Sequence, residues 1–266
     1  EFDWNSDETF GEILEQFGRV PLPPYIKREA TAEDAVRYQT IYADNDGSVA
    51  APTAGLHFTP TVFDALQAKD IHRITVNLTV GLGTFKPLET ETIEEFTMHG
   101  EQISVSRKTI IHVKHWLKNS TKQARLVCVG TTSVRTIESL YWFGVRLQCN
   151  DDNCLLQPVF SVKQWDAFRL AEKAITPQKS LSAILNWMER HSLESITGIT
   201  EIMIVPSYQF RLCNALITNF HQPHSTLILL VAAFVGKSLW RKIYDEALAN
   251  NYRFLSYGDS SLLMRE

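Results

Sequence analysis

Twice in this chain an apolar run stops at a glycine or a polar loop and a helical pattern begins at once. "ARLVCVG" runs into "TTSVRTIESLYWFG", and "NALITNF" runs through "HQPHS" into "TLILLVAAFVG". A buried strand feeding a helix is half of a parallel crossover unit, so these stretches confine the chain to an α/β fold. The second helix is apolar almost all round and must be buried on nearly every side. Its run is too short to cross a bilayer, and no membrane partner is expected.

The remaining patterns fit the same class. "GEILEQF" is helical, and the "PLPP" that follows is extended, a rigid connector packed by Leu22 and Tyr25. Thr31 caps a helix with Glu33 and Asp34 in its first turn, and Thr59-Pro60 opens another. "HRITVNLTV", "EQISVS" and "TGITEIMIVP" read as strands, and "RKTIIHVKHWLKN" as a basic helix. "SLSAILNWMERH" reads as a helix capped by Ser180 or Ser182, and "SLWRKIYDEALANN" as an amphipathic one. "YRFLSYGDSSLLM" is expected to close the chain with a strand and a polar loop, and the region from Gln148 to Lys179 to be loops with one or two short elements. The expected architecture is a mixed, largely parallel sheet with flanking helices. Residues 1–30 are read as a connector and 31–266 as the α/β domain.

Composition narrows the class further. Lys and Arg number 26 against 30 Asp and Glu, a net charge of −4 that argues against an extensive nucleic-acid surface while permitting a local basic patch. The four cysteines show no CxxC spacing and no disulfide framework. Cys149 and Cys154 lie close enough for a metal half-site, but reduced thiols in a cytoplasmic protein are the expectation. The acidic start without Met carries no basic leader and reads as part of a longer protein.

In open α/β sheets ligands bind beyond the carboxyl ends of strands, which directs attention to "GLGTF", "GTTSVR", "NFHQPHST" and "SYGD". "GLGTFKP" lacks the third glycine and the following helix of a dinucleotide fingerprint, and supports only a tight turn at Gly83 and Thr84. "GTTSVR" puts Thr131, Thr132 and Ser133 at a helix N-terminus, either as plain caps or as donors to a carboxylate or phosphate. Arg135 falls in the first helical turn, where a cation is unfavourable unless paired. "TNFHQPHST" offers Asn219, His221 and His224; a metal there would need a third ligand such as His57 or His99, and no metal is assigned. In "TMHGEQ", His99 and Glu101 are two apart and face one side if both are extended, as an acid/base pair or a surface pair. Tyr257 and Asp259 flank a glycine turn.

In order, "PLPPYIKR", "YQTIYA", "GSVAAPTAGLHFT", "VGLGTFKPL", "MHGE", "VGTTSVRTIE", "ALITNFHQPHSTLILLVAAFVG" and "YRFLSYGD" resemble the S-adenosylmethionine:tRNA ribosyltransferase-isomerase family of queuosine biosynthesis. The resemblance runs from about Gly18 to Asp259 and is missing around Gln148 to Ser195. It implies a reaction in which S-adenosylmethionine donates its ribosyl unit to 7-aminomethyl-7-deazaguanine at the wobble position of tRNA. The product is epoxyqueuosine, with adenine and methionine released. It also implies an α/β domain with an inserted β-barrel, most of which this chain is expected to lack; no metal is expected. A monomer is expected. The alternatives are a diverged paralogue using S-adenosylmethionine on a non-tRNA acceptor and a non-catalytic nucleoside- or tRNA-binding protein.

With the resemblance in place, His57 and Glu101 are the acid/base candidates, and His99 and His221 are positioning or proton-transfer groups. Substrate binding is expected from Thr53, Gly55, Gly83, Thr84, Thr131, Thr132, Ser133, Arg135, Asn219, Tyr257 and Asp259. This chain departs from the family's pattern by having Thr79 for His, Ser207 for Gly, Cys213-Asn214 for Val-Asp and Gln222 for Leu. These changes bear on the acceptor.

Overall fold

A computed structural model describes residues 4–5, 7–43, 48, 50–79, 92–121, 124–149 and 160–265. Seven described strands divide between two sheets. The larger contains β1 (Asn77–Thr79), β2 (Glu101–Ser106), β4 (Phe160–Val162) and β5 (Ser195–Thr200), in the order β1-β2-β5-β4. The smaller contains β3 (Val127–Val129), β6 (Ala215–Asn219) and β7 (Ser260–Met264), in the order β3-β6-β7. The α/β class, mixed strand orientation and flanking helices are as expected. Parallel pairing occurs at β3–β6 and β4–β5, and the other pairings are antiparallel.

The helices, in chain order, are α1 (Phe10–Phe17), α2 (Ala32–Arg37), α3 (Pro60–Ala68), α4 (Arg107–Asn119), α5 (Thr131–Gln148), α6 (Asp166–Arg169), α7 (Pro177–Arg190), α8 (Thr226–Val235) and α9 (Lys237–Ala249). A 3-10 turn, Thr53–His57, precedes α3, and another, Ala171–Lys173, follows α6. Local chemistry accounts for most starts. Thr59 accepts from the Val62 amide with Pro60 next to it, and Ser225 accepts from the Ile228 amide. For α7 the cap is Thr176, followed by Pro177, and neither Ser180 nor Ser182. Ser180 is buried and donates to the Tyr141 carbonyl at 2.6 Å, tying α7 to α5. The final stretch also reverses the expected order: a turn over Leu255–Gly258 precedes β7.

Helix α5 is the centre of the molecule. It contacts β3 and β6 of one sheet, β4 and β5 of the other, and packs along α7. Ser133 and Gln148 alone among its eighteen residues are not buried. Trp142, Tyr141, Phe143 and Leu140 are nearly or fully inaccessible; Phe143 meets Trp187 and Phe160 edge-on and Trp142 meets Tyr208 the same way. Each such side chain contributes about 1.5–3 kcal/mol through burial. Because α5 begins directly at the end of β3, this packing also fixes where its N-terminus points.

The segment before the first strand is fastened to the far end of the chain. Asp34 accepts two bonds from the Arg28 guanidinium at 2.6 and 2.7 Å and one from the Tyr257 hydroxyl at 3.1 Å. The Arg28 bonds hold its carboxyl well below the usual range, with help from the Thr31 amide. Ser207 occupies φ 104°, a region glycine adopts freely, which accounts for the family's glycine there. The Cys213-Asn214 departure is structural as well: the Asn214 carbonyl oxygen accepts from the Leu126 amide at 2.7 Å, a role an aspartate would fill equally.

Candidate functional site

A solvent-open pocket lies at the carboxyl ends of the parallel pair β3–β6. One wall is Gly130, Thr131 and Thr132, where β3 passes into α5, and the opposite wall is Thr218, Asn219, His221 and Gln222, where β6 ends. Ala50 to Ala54 form a small-residue side, and Tyr25, Leu255 and Ser256 close it from distant parts of the chain. Gly130 sits at φ 88°, ψ 150°, a conformation open to glycine, and this lets the chain enter α5 directly from the strand. Gly55 is required by contact instead. A Cβ there would strike the Tyr42 hydroxyl and the Thr40 methyl.

Three side chains, Thr53, Asn219 and His57, are linked by hydrogen bonds at the pocket's edge. The Asn219 amide nitrogen donates to Thr53 Oγ1 at 3.1 Å, and its carbonyl oxygen lies 3.1 Å from His57 Nε2. His57 ends the 3-10 turn with its ring exposed beside the pocket. His221 is held differently: Thr218 Oγ1 lies 2.9 Å from its Nε2, and its backbone amide donates to the Tyr244 hydroxyl at 3.0 Å. Burial lowers its pKa from 6.5 to about 4. His221 is therefore neutral at physiological pH, and no described lining residue is Asp, Glu, Lys or Arg.

The depressed value has a consequence for stability. Between pH 6.5 and 4 the unfolded chain binds a proton at His221 that the folded chain does not. The contribution is full above pH 6.5 and is lost as pH falls through 4. Ring NMR should show His221 titrating near pH 4, and the urea midpoint should drop over that window less in His221→Gln than in the parent. A ring titrating near 6.5 would contradict this.

Thr131, Thr132, Thr53, Asn219 and His221 come together at the pocket with His57 bonded to Asn219 beside it, while Ser133, Tyr257, Asp259, His99, Glu101 and Arg135 are not among its lining residues. Ser133 donates to the Val129 carbonyl at 2.8 Å and faces away. Tyr257 serves Asp34, and Asp259 caps its own turn by accepting from the Arg253 amide at 2.6 Å. His99 and Glu101 do not share a side, because the strand begins only at Glu101; His99 is exposed and Glu101 is buried. Glu101 lies 3.1 Å from Arg135 in an ion pair with both side chains over nine-tenths buried. That is the partner a cation in the first turn of α5 requires. Gly83 and Thr84 lie outside the described residues. Among the described residues no three or more His, Cys, Asp or Glu are grouped to hold a metal.

Sequence reading missed Tyr25, Thr218, Leu255 and Ser256 as lining residues. Tyr25 hydrogen-bonds Ser256, closing the pocket with the "PLPPY" connector. The adjacency of Ser256 to the "YGD" turn was the available signal. Gln222, noted only as a departure, lines the pocket where the family pattern has leucine.

Fold and site define an α/β protein with an open pocket, free of charged lining residues among those described, at the ends of two parallel strands. Comparison with known proteins is more specific. The chain belongs to the queuosine biosynthesis protein family, whose model matches residues 1–263. It is 40% identical over 255 residues to the S-adenosylmethionine:tRNA ribosyltransferase-isomerase of Cupriavidus pinatubonensis, covering 96% of this chain and 59% of that protein. It is 37% identical over 259 residues to the enzyme of the same name from Legionella pneumophila strain Corby, covering 97% and 62%. Among solved structures, S-adenosylmethionine tRNA ribosyltransferase from Thermotoga maritima aligns with a TM-score of 0.49 and 29% identity, over 80% of this chain and 51% of that one. The chain thus spans about three fifths of the length of these curated relatives.

Proposed function

We propose that this chain is the α/β portion of an enzyme that transfers and isomerises the ribosyl moiety of S-adenosylmethionine. The acceptor is 7-aminomethyl-7-deazaguanine at the tRNA wobble position, and the products are epoxyqueuosine, adenine and methionine. The observation that carries the reading is 37–40% identity over nearly the whole chain to relatives of that name. The pocket supports it, because its walls come from the same blocks that carry the family resemblance.

Within this reading the uncharged pocket takes the nucleoside part of the donor, with Thr131 and Thr132 offering hydroxyls and helix-terminal amides to its polar edge. The sulfonium acidifies the neighbouring C5′ hydrogens. His57 takes one of them, the C–H electron pair remaining on carbon, and neutral His221 is placed for later proton transfer. The buried Arg135–Glu101 pair orients the first turn of α5 from beneath. Residues 1–30 act as the connector to the rest of the protein, which works in the cytoplasm.

The test is release of adenine from S-adenosylmethionine by the full-length protein, with and without tRNA bearing the precursor base. Adenine release that depends on that tRNA is expected. No release under any condition would reduce the chain to a binding protein, and release with only a small amine acceptor would make it a paralogue.

A further inference from the structure

We infer that Asn219 is a positioning residue that fixes His57 in the tautomer protonated at Nε2, leaving Nδ1 as the atom that accepts a proton. An amide side chain has one accepting and one donating end. In the structure the Asn219 amide nitrogen faces Thr53 Oγ1 and the carbonyl oxygen, which cannot donate, faces His57 Nε2, each at 3.1 Å. The imidazole must supply that hydrogen, and a neutral ring carrying it on Nε2 holds its lone pair on Nδ1. Nδ1 has no hydrogen-bond partner among the described residues.

The linkage is rigidly mounted. Asn219 is the last residue of β6, buried to 3% exposure and paired in register with Ser260. Thr53 opens the 3-10 turn that His57 ends, and this turn packs on β6. One amide therefore sets both the ring's tautomer and its distance from the strand end, as second partners do for working histidines elsewhere. The catalytic consequence rests on the proposed function: in the C5′ deprotonation, the C–H bond breaks and the proton passes to Nδ1, giving an imidazolium that Asn219 stabilises through Nε2–H. The tautomer itself does not rest on that reading.

Ring nitrogen–hydrogen correlation NMR on the free protein at neutral pH reads the tautomer directly, with His57 assigned by the signal lost in His57→Gln. The Nε2–H pattern is expected in the parent. In Asn219→Ala the Nδ1–H form should rise to the minority share of an unrestrained imidazole, and Thr53→Val, which removes one partner of the amide, should move the ratio the same way by less. The Thr53 variant carries the test if Asn219→Ala does not fold. An Nδ1–H ring in the parent would mean the amide is turned the other way and would overturn the inference. So would a ratio unchanged in the folded variants. Because no substrate is present, these outcomes are separable from a failure of the adenine assay. In the full-length protein, if that assay succeeds, Asn219→Ala should lower kcat about tenfold or more, as for other histidines released into the wrong tautomer.

Discussion

Glu138→Ala is expected to cost about 5 kcal/mol of stability, enough to leave the chain largely unfolded or near its threshold. Glu138 is fully buried in the middle of α5, and four donors converge on its carboxylate. The amides of Leu212 and Cys213 bond to one oxygen at 2.9 and 2.8 Å. The Tyr208 hydroxyl and the Arg211 amide bond to the other at 2.7 and 2.9 Å. Burial raises the pKa of this carboxyl, and the four donors pull against that rise. Removing the carboxylate strands all four donors in the interior, each at a cost of about 1–3 kcal/mol, partly offset by no longer burying a charge. Glu138→Gln should lose less, since its carbonyl keeps one pair of donors while its NH₂ opposes the Arg211 amide. Urea unfolding followed by circular dichroism ranks the three proteins. A loss below about 1 kcal/mol for the alanine variant would show that water or other acceptors replace the carboxylate.

Nothing in "TTSVRTIESLYWFG" marks Glu138 as a hub, because its donors lie some seventy residues away in a loop before β6. The same physical distinction runs through the molecule. The β3–α5 and β6–α8 units were legible because strand, break and cap are neighbours in the chain. The Thr131–Thr132 and Asn219–His221 walls follow from them, since parallel strands put both carboxyl ends on one side. The division into two sheets was not legible, because strand pairing joins distant segments: β2 pairs with β5 across the whole of β3 and α5. Tyr257 and Asp259 were placed in the site by their neighbourhood in "SYGD", yet side-chain direction takes Tyr257 to Asp34 and leaves Ser256 facing the pocket. His99 and Glu101 illustrate how much a strand boundary decides. The alternation rule applies only inside the strand, and His99 lies outside it.

His57→Gln is expected to reduce turnover of the full-length protein about 10²- to 10⁴-fold, the range spanned by loss of a general base. Glutamine suits the test because its side-chain amide can still donate to the Asn219 carbonyl oxygen, keeping the contact that His57 Nε2 makes at 3.1 Å. What it cannot do is accept a proton at neutral pH. The ring is exposed and is not among the pocket-lining residues, so folding and KM for S-adenosylmethionine should change little. Glu101, the other acid/base candidate, predicts the opposite profile. It is buried against Arg135, and Glu101→Gln would leave a guanidinium without its counter-charge, an outcome read first as lost stability. Measuring kcat, KM and the urea midpoint for both variants therefore assigns the base. If His57→Gln keeps near-parental turnover while Glu101→Gln stays folded and inactive, the base is Glu101, and the contact between His57 and Asn219 serves the shape of the pocket.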